Sequence, residues 1–341
     1  MSVLENTDAN KIAAALLDAR RSAGSPAMGM VMTMVVVVPE EDAEEALTAA
    51  REAAREHPSR RLGVIIGSPR GPSNITADIK AGAGTTGERA LIKLTGEVTR
   101  HPESVVLPLL LPDSPVVVWW PTAAPADPSS DPLGRLGTRR ITDAASVPSG
   151  RAGAMLTQCS SYAPGNTDLA WTRLTPWRAL LAAALDQVDT KVSAVSISAE
   201  RISPSADLLG AWLADRLKVP VSRSRSDGPG ITDVTLTVKR GEIRIRREDG
   251  REAVFTVPGQ PDRPVALRRR SIPELLIEEL RRLDPDDVYA STVQRLRRME
   301  SSTTKRRSGT AAKTPAKTTK TAATTPAKKA STSRTRAKAK G

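Results

Sequence analysis

Apolar residues follow two rhythms along this chain. Early on they run almost without interruption, as in MVMTMVVVV (residues 30–38) and RRLGVIIG (60–67). Strands apolar on both sides are those covered on both faces. Before the first run, residues 11–21 read as a helix with Ile12, Leu16 and Leu17 on one side. Between the two runs, Pro39 opens an Ala- and Glu-rich helix reaching about Glu56. This helix–strand alternation predicts an α/β layer with parallel pairing. Residues 75–80 and 90–99 read as further strands. SVVLPLLLPDSPVVVWWP (104–121) reads as a short apolar helix, a proline-bounded turn and a buried strand, and 122–133 as a loop.

The second half changes rhythm. Thr175 is placed to cap a helix whose first position is Pro176, and Trp177, Leu180, Leu181, Ala184 and Leu185 then form one apolar stripe. Residues 192–197 read as a strand. Ser203 and Pro204 repeat the cap-then-proline start for a helix burying Leu208, Leu209, Trp212 and Leu213. Short strands over 219–222, 232–239, 242–247, 253–257 and 264–267 predict an antiparallel meander. Helices over 272–283 and from Asp286 to about Met299 follow, with Asp284 placed to cap the second.

The predicted fold class is α/β. A first α/β-type domain covers residues 1–160. A second covers 161–300 and ends in the antiparallel meander and two helices, and a disordered tail occupies 301–341.

Charge sharpens the last boundary. The chain carries a formal +13, yet residues 301–341 hold eight Lys and four Arg with no acid, so +12 sits in the tail and +1 in the rest. Such a tail makes weak, salt-dependent contacts with nucleic acid, but it has no interleaved aromatics to read a sequence. No apolar run reaches 18 residues and the N-terminus lacks the regions of a signal peptide, so a soluble, cytoplasmic protein with no membrane partner is expected.

Candidate chemistry is sparse. Cys159 stands alone, which excludes an intramolecular disulfide and a cysteine cluster. His57 and His101 each precede a proline, far apart, with no metal-binding spacing. GSPRGP (67–72) follows a strong strand and contains Arg70, but reads as a turn before an anion site. AGAGTTGE (81–88) matches G-x-G-x-x-G without the strand and helix that give that string meaning. No catalytic residue, metal site or cofactor is therefore expected.

What remains is a recognition surface. VVVWWP, RRITDA (139–144) and DLAWTRLTPWR (168–178) concentrate Trp and Arg in a chain with only 2% aromatics. Those are the side chains most enriched at interface hot spots. Trp177 and one of Trp119 and Trp120 are assigned to the core. Trp171, Arg173, Arg178, Arg139, Arg140, Asp143 and Trp120 are the candidate partner-contacting residues, with Trp171 and Arg173 on the linker at the domain junction.

These same stretches carry a family resemblance. REHPSR (55–60), SVVLPLLLPDSPVVVWWP, RRITDA, YAPGNTDLAWTRLTPWRALLAAALDQ (162–187), SPSADLLGAWLADRL (203–217), GPGIT (228–232), PGQPDRPVALRRRS (258–271) and EELRRLDPDDVYA (278–290) resemble the OpcA family, the glucose-6-phosphate dehydrogenase assembly proteins, in its actinobacterial branch. The resemblance implies a non-catalytic protein that binds glucose-6-phosphate dehydrogenase. It would favour the active oligomer and act as an allosteric activator at the entry to the oxidative pentose phosphate pathway. With one cysteine, a dithiol switch within the chain is not available. Two other classes stay open to the residues alone: a sugar-phosphate or nucleotide enzyme using Arg70 and the 81–87 loop, and a nucleic-acid-associated protein using the tail.

Overall fold

The apolar runs become the centre of an eight-stranded sheet. In this computed structural model, residues 2–22, 30–81, 87–147, 151–188 and 191–311 are described. The first sheet contains β1 (Ser2–Leu4), β2 (Met32–Pro39), β3 (Ser59–Ile66), β4 (Asn74–Lys80), β5 (Gly87–Thr95), β6 (Val116–Trp119), β7 (Arg139–Thr142) and β8 (Asn166–Asp168). Their spatial order is β1-β4-β5-β3-β2-β6-β7-β8. The six strands from β5 to β8 pair in parallel, and β4 and β1 close one edge antiparallel.

Helices cover both faces of this sheet, which explains why β2 is buried at every position before Pro39. On one face α1 (Ala9–Ser22) packs Ile12 and Leu16 against Val35, Leu62 and Ile92. Below the same face lies the short α3 (Pro102–Val106). On the other face α2 (Ala43–Ala53) meets Met34, Val36 and Trp119 through its alanines. Both neighbouring tryptophans of VVVWWP are buried, because consecutive residues face opposite sides: Trp119 enters the α2 side and Trp120 the α1 side. The expectation that one of them would be free for a partner is corrected accordingly.

Two glycines answer questions raised by the sequence. Gly87, the last glycine of the G-x-G-x-x-G match, has φ +104, and a Cβ there would sit 2.2 Å from the Ser59 carbonyl oxygen. Its identity is explained by the β3–β5 approach. Residues 82–86 of that string lie outside the described residues. Gly134 is needed where the loop after β6 passes Pro128, whose carbonyl oxygen would lie 1.7 Å from an added Cβ.

After β7, α4 (Arg151–Ser160) leads to β8, and α5 (Leu169–Thr172) and α6 (Thr175–Leu185) follow in quick succession. β9 (Val192–Ala199) starts the second sheet, and α7 (Pro204–Leu217) leads to β10 (Val221–Arg225). The meander is β11 (Ile231–Val238), β12 (Gly241–Arg246), β13 (Glu252–Thr256) and β14 (Arg263–Ala266). The order is β10-β9-β11-β12-β13-β14, with only the β9–β10 pair parallel. The inner face of this sheet, with Val195, Ile197, Val234, Leu236, Ile243 and Ile245, shares a core with residues of α6 and α7.

The chain then returns. α8 (Ile272–Glu279) lays Leu275 and Leu276 beside α2 on the first sheet, while α9 (Asp287–Ala311) sends Tyr289, Val293 and Leu296 into the core of the second. Met1–Glu300 packs as one unit. α9 continues past Met299, where the apolar periodicity stops, and residues 312–341 lie outside the described residues.

Two predicted caps are also corrected. Ser203 caps α7 as expected, its hydroxyl accepting from the Ala206 amide at 3.3 Å. Thr175 does not cap α6: it is already helical, and its hydroxyl donates to Glu278 at 2.6 Å. At α9 the cap is Asp286, whose carboxylate accepts from the Tyr289 amide at 2.9 Å, while the Asp284 carbonyl accepts from Arg139.

Candidate functional site

The Trp- and Arg-rich stretches meet at the seam where β7, β8, α5 and α6 adjoin α8 and the start of α9. Asp168 ends β8 and is fully buried. Its carboxylate accepts from the Ala170 amide at 2.8 Å, capping α5, and from the Thr142 hydroxyl and the Ala144 amide at 2.6 and 3.0 Å. Burial, aided by the nearby Asp143 charge, raises its pKa from 3.8 to about 6. Asp143 itself is buried and receives a two-pronged guanidinium from Arg173, at 2.7 and 2.8 Å.

Around this pair the seam is a chain of committed side chains. Arg139, only 4% exposed, pairs with Glu279, whose other oxygen accepts the Thr172 hydroxyl at 2.7 Å. Arg270 pairs with Glu278 and donates to the Thr172 carbonyl. Trp171 is 2% exposed; its indole N–H donates to Asp286 at 2.8 Å, and its ring stacks near Tyr289. Arg178 lies over that ring, 3.7 Å from its centroid. Arg140 ties β7 to Gly137 in the loop before it, and to Pro164 and Asn166 at the start of β8.

The expectation of a linker whose Trp171 touches a partner is therefore corrected: residues 169–172 are helical and Trp171 is buried. The structure brings Trp171, Arg173, Arg178, Arg139 and Asp143 together, as their shared composition suggested, but as buried or half-buried structural partners. Trp120 belongs to a different cluster on the first sheet. Arg140, Arg173 and Arg178 alone of the seven remain half-exposed. The acceptors Glu278, Glu279 and Asp286 lie more than 100 residues away along the chain, and no local pattern announces such pairings.

Beside the seam opens a cavity of about 560 Å³. Its walls include the starting turns of α6, α7 and α8, the arginines Arg173, Arg247, Arg268, Arg269 and Arg270, and the carboxylates Glu45 and Glu200. Arg247 is not among the residues singled out from sequence, although a signal existed. In β12, Ile243 and Ile245 point inward, and two residues on the same alternation puts Arg247 inside, where it is 5% exposed. Burial pushes its pKa down to about 10, and the neighbouring Arg269 charge adds to the effect.

Other candidates resolve as structure. Cys159 is buried and its thiol pKa is pushed up to about 12, chiefly by burial, so it holds no ready thiolate. His57 follows α2 and contacts the Ile277 carbonyl at 2.9 Å, and His101 precedes α3. Arg70 is exposed, in a bend closed by the Ser68 hydroxyl. Among the described residues no group of three or more His, Cys, Asp or Glu is arranged to hold a metal, and no helix is long and apolar enough to cross a membrane.

Comparison with known proteins follows the two halves of the chain. Residues 50–160 match the family model for the N-terminal domain of a glucose-6-phosphate dehydrogenase subunit, and residues 164–293 match the model for the C-terminal domain of the same family. Among curated proteins no sequence matches. Similar solved structures include a 3-ketoreductase from Actinomadura kijaniata, at 12% identity and TM-score 0.42, covering 78% of this chain and 95% of that one. A dehydrogenase from Clostridium difficile is similar at 9% identity and TM-score 0.43, over 80% and 99% of the two chains. At those values neither likeness says anything of activity.

Proposed function

Since the chain belongs to the OpcA family of glucose-6-phosphate dehydrogenase assembly proteins, we propose that it is a non-catalytic partner that binds this dehydrogenase and allosterically favours its active oligomer. The observation that carries the reading is the match of both halves, in order, to the two domains of that family. The mechanism is linkage. A partner that binds the active conformation more tightly shifts the enzyme toward it, about tenfold for each 1.4 kcal/mol of preference.

The contact is assigned to the half-exposed Arg140, Arg173 and Arg178. Asp143 holds Arg173 and Trp171 lies under Arg178, while Arg139 pins β7 to Glu279 and Trp120 supports the adjoining strand. Guanidinium groups fixed by stacking and by carboxylates lose little freedom on docking, which suits them to a specific interface. The decisive experiment is dehydrogenase kinetics and sedimentation with and without the purified protein. A rise in kcat/KM together with a shift to a larger assembly is expected; unchanged kinetics and assembly would sink the proposal. Substituting Arg140→Ala and Arg178→Ala together tests the placement. Full activation by a folded double variant moves the interface elsewhere and leaves the partnership standing.

A further inference from the structure

The cavity beside the seam has features that the partnership does not use. Arg247 donates to the carbonyls of Leu267 and Ile231 at 2.8 and 3.1 Å, and its buried Nε has no hydrogen-bond partner. Among the described residues, no carboxylate lies within ion-pair distance of Arg247 or of the exposed Arg269, which also lines the cavity. The other arginines there are already answered, Arg173 by Asp143, Arg268 by Glu274 and Arg270 by Glu278. Asp249 acts on Arg247 only from beyond that distance, and a buried cation without a counter-charge in contact costs stability, unless an anion joins it.

One helix end adds to the same field. α6 begins at this cavity with neither a side-chain cap nor an acidic residue in its first turn, whereas α7, which also begins there, is capped by Ser203 and carries Asp207 in its first turn. An uncapped end of this kind carries roughly half a positive charge, which suits anions. The walls also offer an apolar body: Trp177, over which Arg247 lies at 5.0 Å, with Leu174, Ile231 and Leu267. A volume of about 560 Å³ suits a small metabolite.

We propose that this cavity binds a small phosphate monoester, its phosphate held by Arg247, Arg269 and the N-terminal turn of α6. The neutral part of the ligand lies along Trp177. The two carboxylates of the wall set the limit on ligand charge. Glu200 already accepts the Gly230 amide at 2.9 Å, and the exposed Glu45 accepts hydroxyl protons and disfavours a second phosphate. The site belongs to this chain alone, so its failure leaves the partnership with the dehydrogenase untouched.

Calorimetric titration of the full-length protein at physiological ionic strength tests it, with glucose 6-phosphate, inorganic phosphate, sulfate and glucose as probes. One saturable site is expected for glucose 6-phosphate, at least tenfold tighter than for inorganic phosphate or sulfate, with no binding of glucose. Arg269→Gln, on an exposed side chain, should weaken binding at least tenfold, and Arg263→Gln, on β14 and outside the cavity, should not. Arg247→Gln should act like Arg269→Gln if it folds. If it does not fold, Arg269→Gln decides alone. No saturable binding at millimolar ligand would overturn the assignment. So would equal affinity for sulfate, or equal loss in the Arg263 and Arg269 variants.

Discussion

The two sheets bury their strands differently, and the difference accounts for most of what this chain does with its apolar residues. In the first sheet, β2 lies between parallel neighbours and under helices on both faces, so both sides of every pleat must be apolar. Its one polar residue, Thr33, is spent on accepting the Leu111 amide at 3.1 Å. In the second sheet, β9, β11 and β12 turn Val195, Leu236 and Ile245 inward and leave Ser196, Thr237 and Arg246 exposed. A strand covered twice reads as a run, and a strand covered once reads as alternation. β2 thus resists polar change at every position before Pro39, and the strands of the second sheet mainly at every other residue.

The strongest way to break this contrast is Val36→Asp in β2. An uncompensated charge between two covered faces should cost more than about 4 kcal/mol, read as loss of a cooperative urea transition. Next comes Ile245→Ala on the inner face of the second sheet, expected to cost about 2–5 kcal/mol in the urea midpoint. If Ile245→Ala were neutral, the inner face would not be a packed core.

A third test addresses the seam. Asp168 has a folded pKa raised to about 6 against an ordinary 3.8. The folded state therefore binds its proton more tightly, and the stability this contributes is complete below pH 3.8 and is lost as pH rises toward 6. The window is about two pKa units, so the change approaches ~3 kcal/mol. Subtracting the urea-derived stability of Asp168→Asn from that of the unsubstituted protein, pH by pH, should give a difference that falls between about pH 4 and 6. A flat difference would mean that Asp168 titrates normally. The smallest effect belongs to Thr237→Asp on the exposed face of β11, expected within about 0.5 kcal/mol of the parent. A large loss there would show that this face is covered.

Much of the architecture was legible because burial writes itself into spacing. The runs of β2 and β3, the stripe through Trp177 and Leu181, and the alternation of β11 to β13 each report their own surroundings. The seam was legible only as a grouping. RRITDA and DLAWTR stood out by composition, but Trp171 could not be told from an exposed anchor, since its explanation is Asp286, 115 residues away. The same holds for Arg139, whose Glu279 arrives on α8. β7 and β8 are too short and too polar to announce themselves, and they are strands because a sheet edge was available.

The sequence by itself determined the α/β class, the positions of most long elements, the concentration of charge after Ser301 and the family. Those depend on periodicity, composition and matched stretches, which are properties of neighbours along the chain. The tertiary structure alone decided that α8 returns to the first sheet and that the Trp and Arg cluster faces inward. It also decided that Arg247 and Arg269 line one cavity with the starts of α6 and α7. Those facts depend on residues far apart in sequence being brought together by packing. Long-range pairing of charges leaves no period in the chain to read.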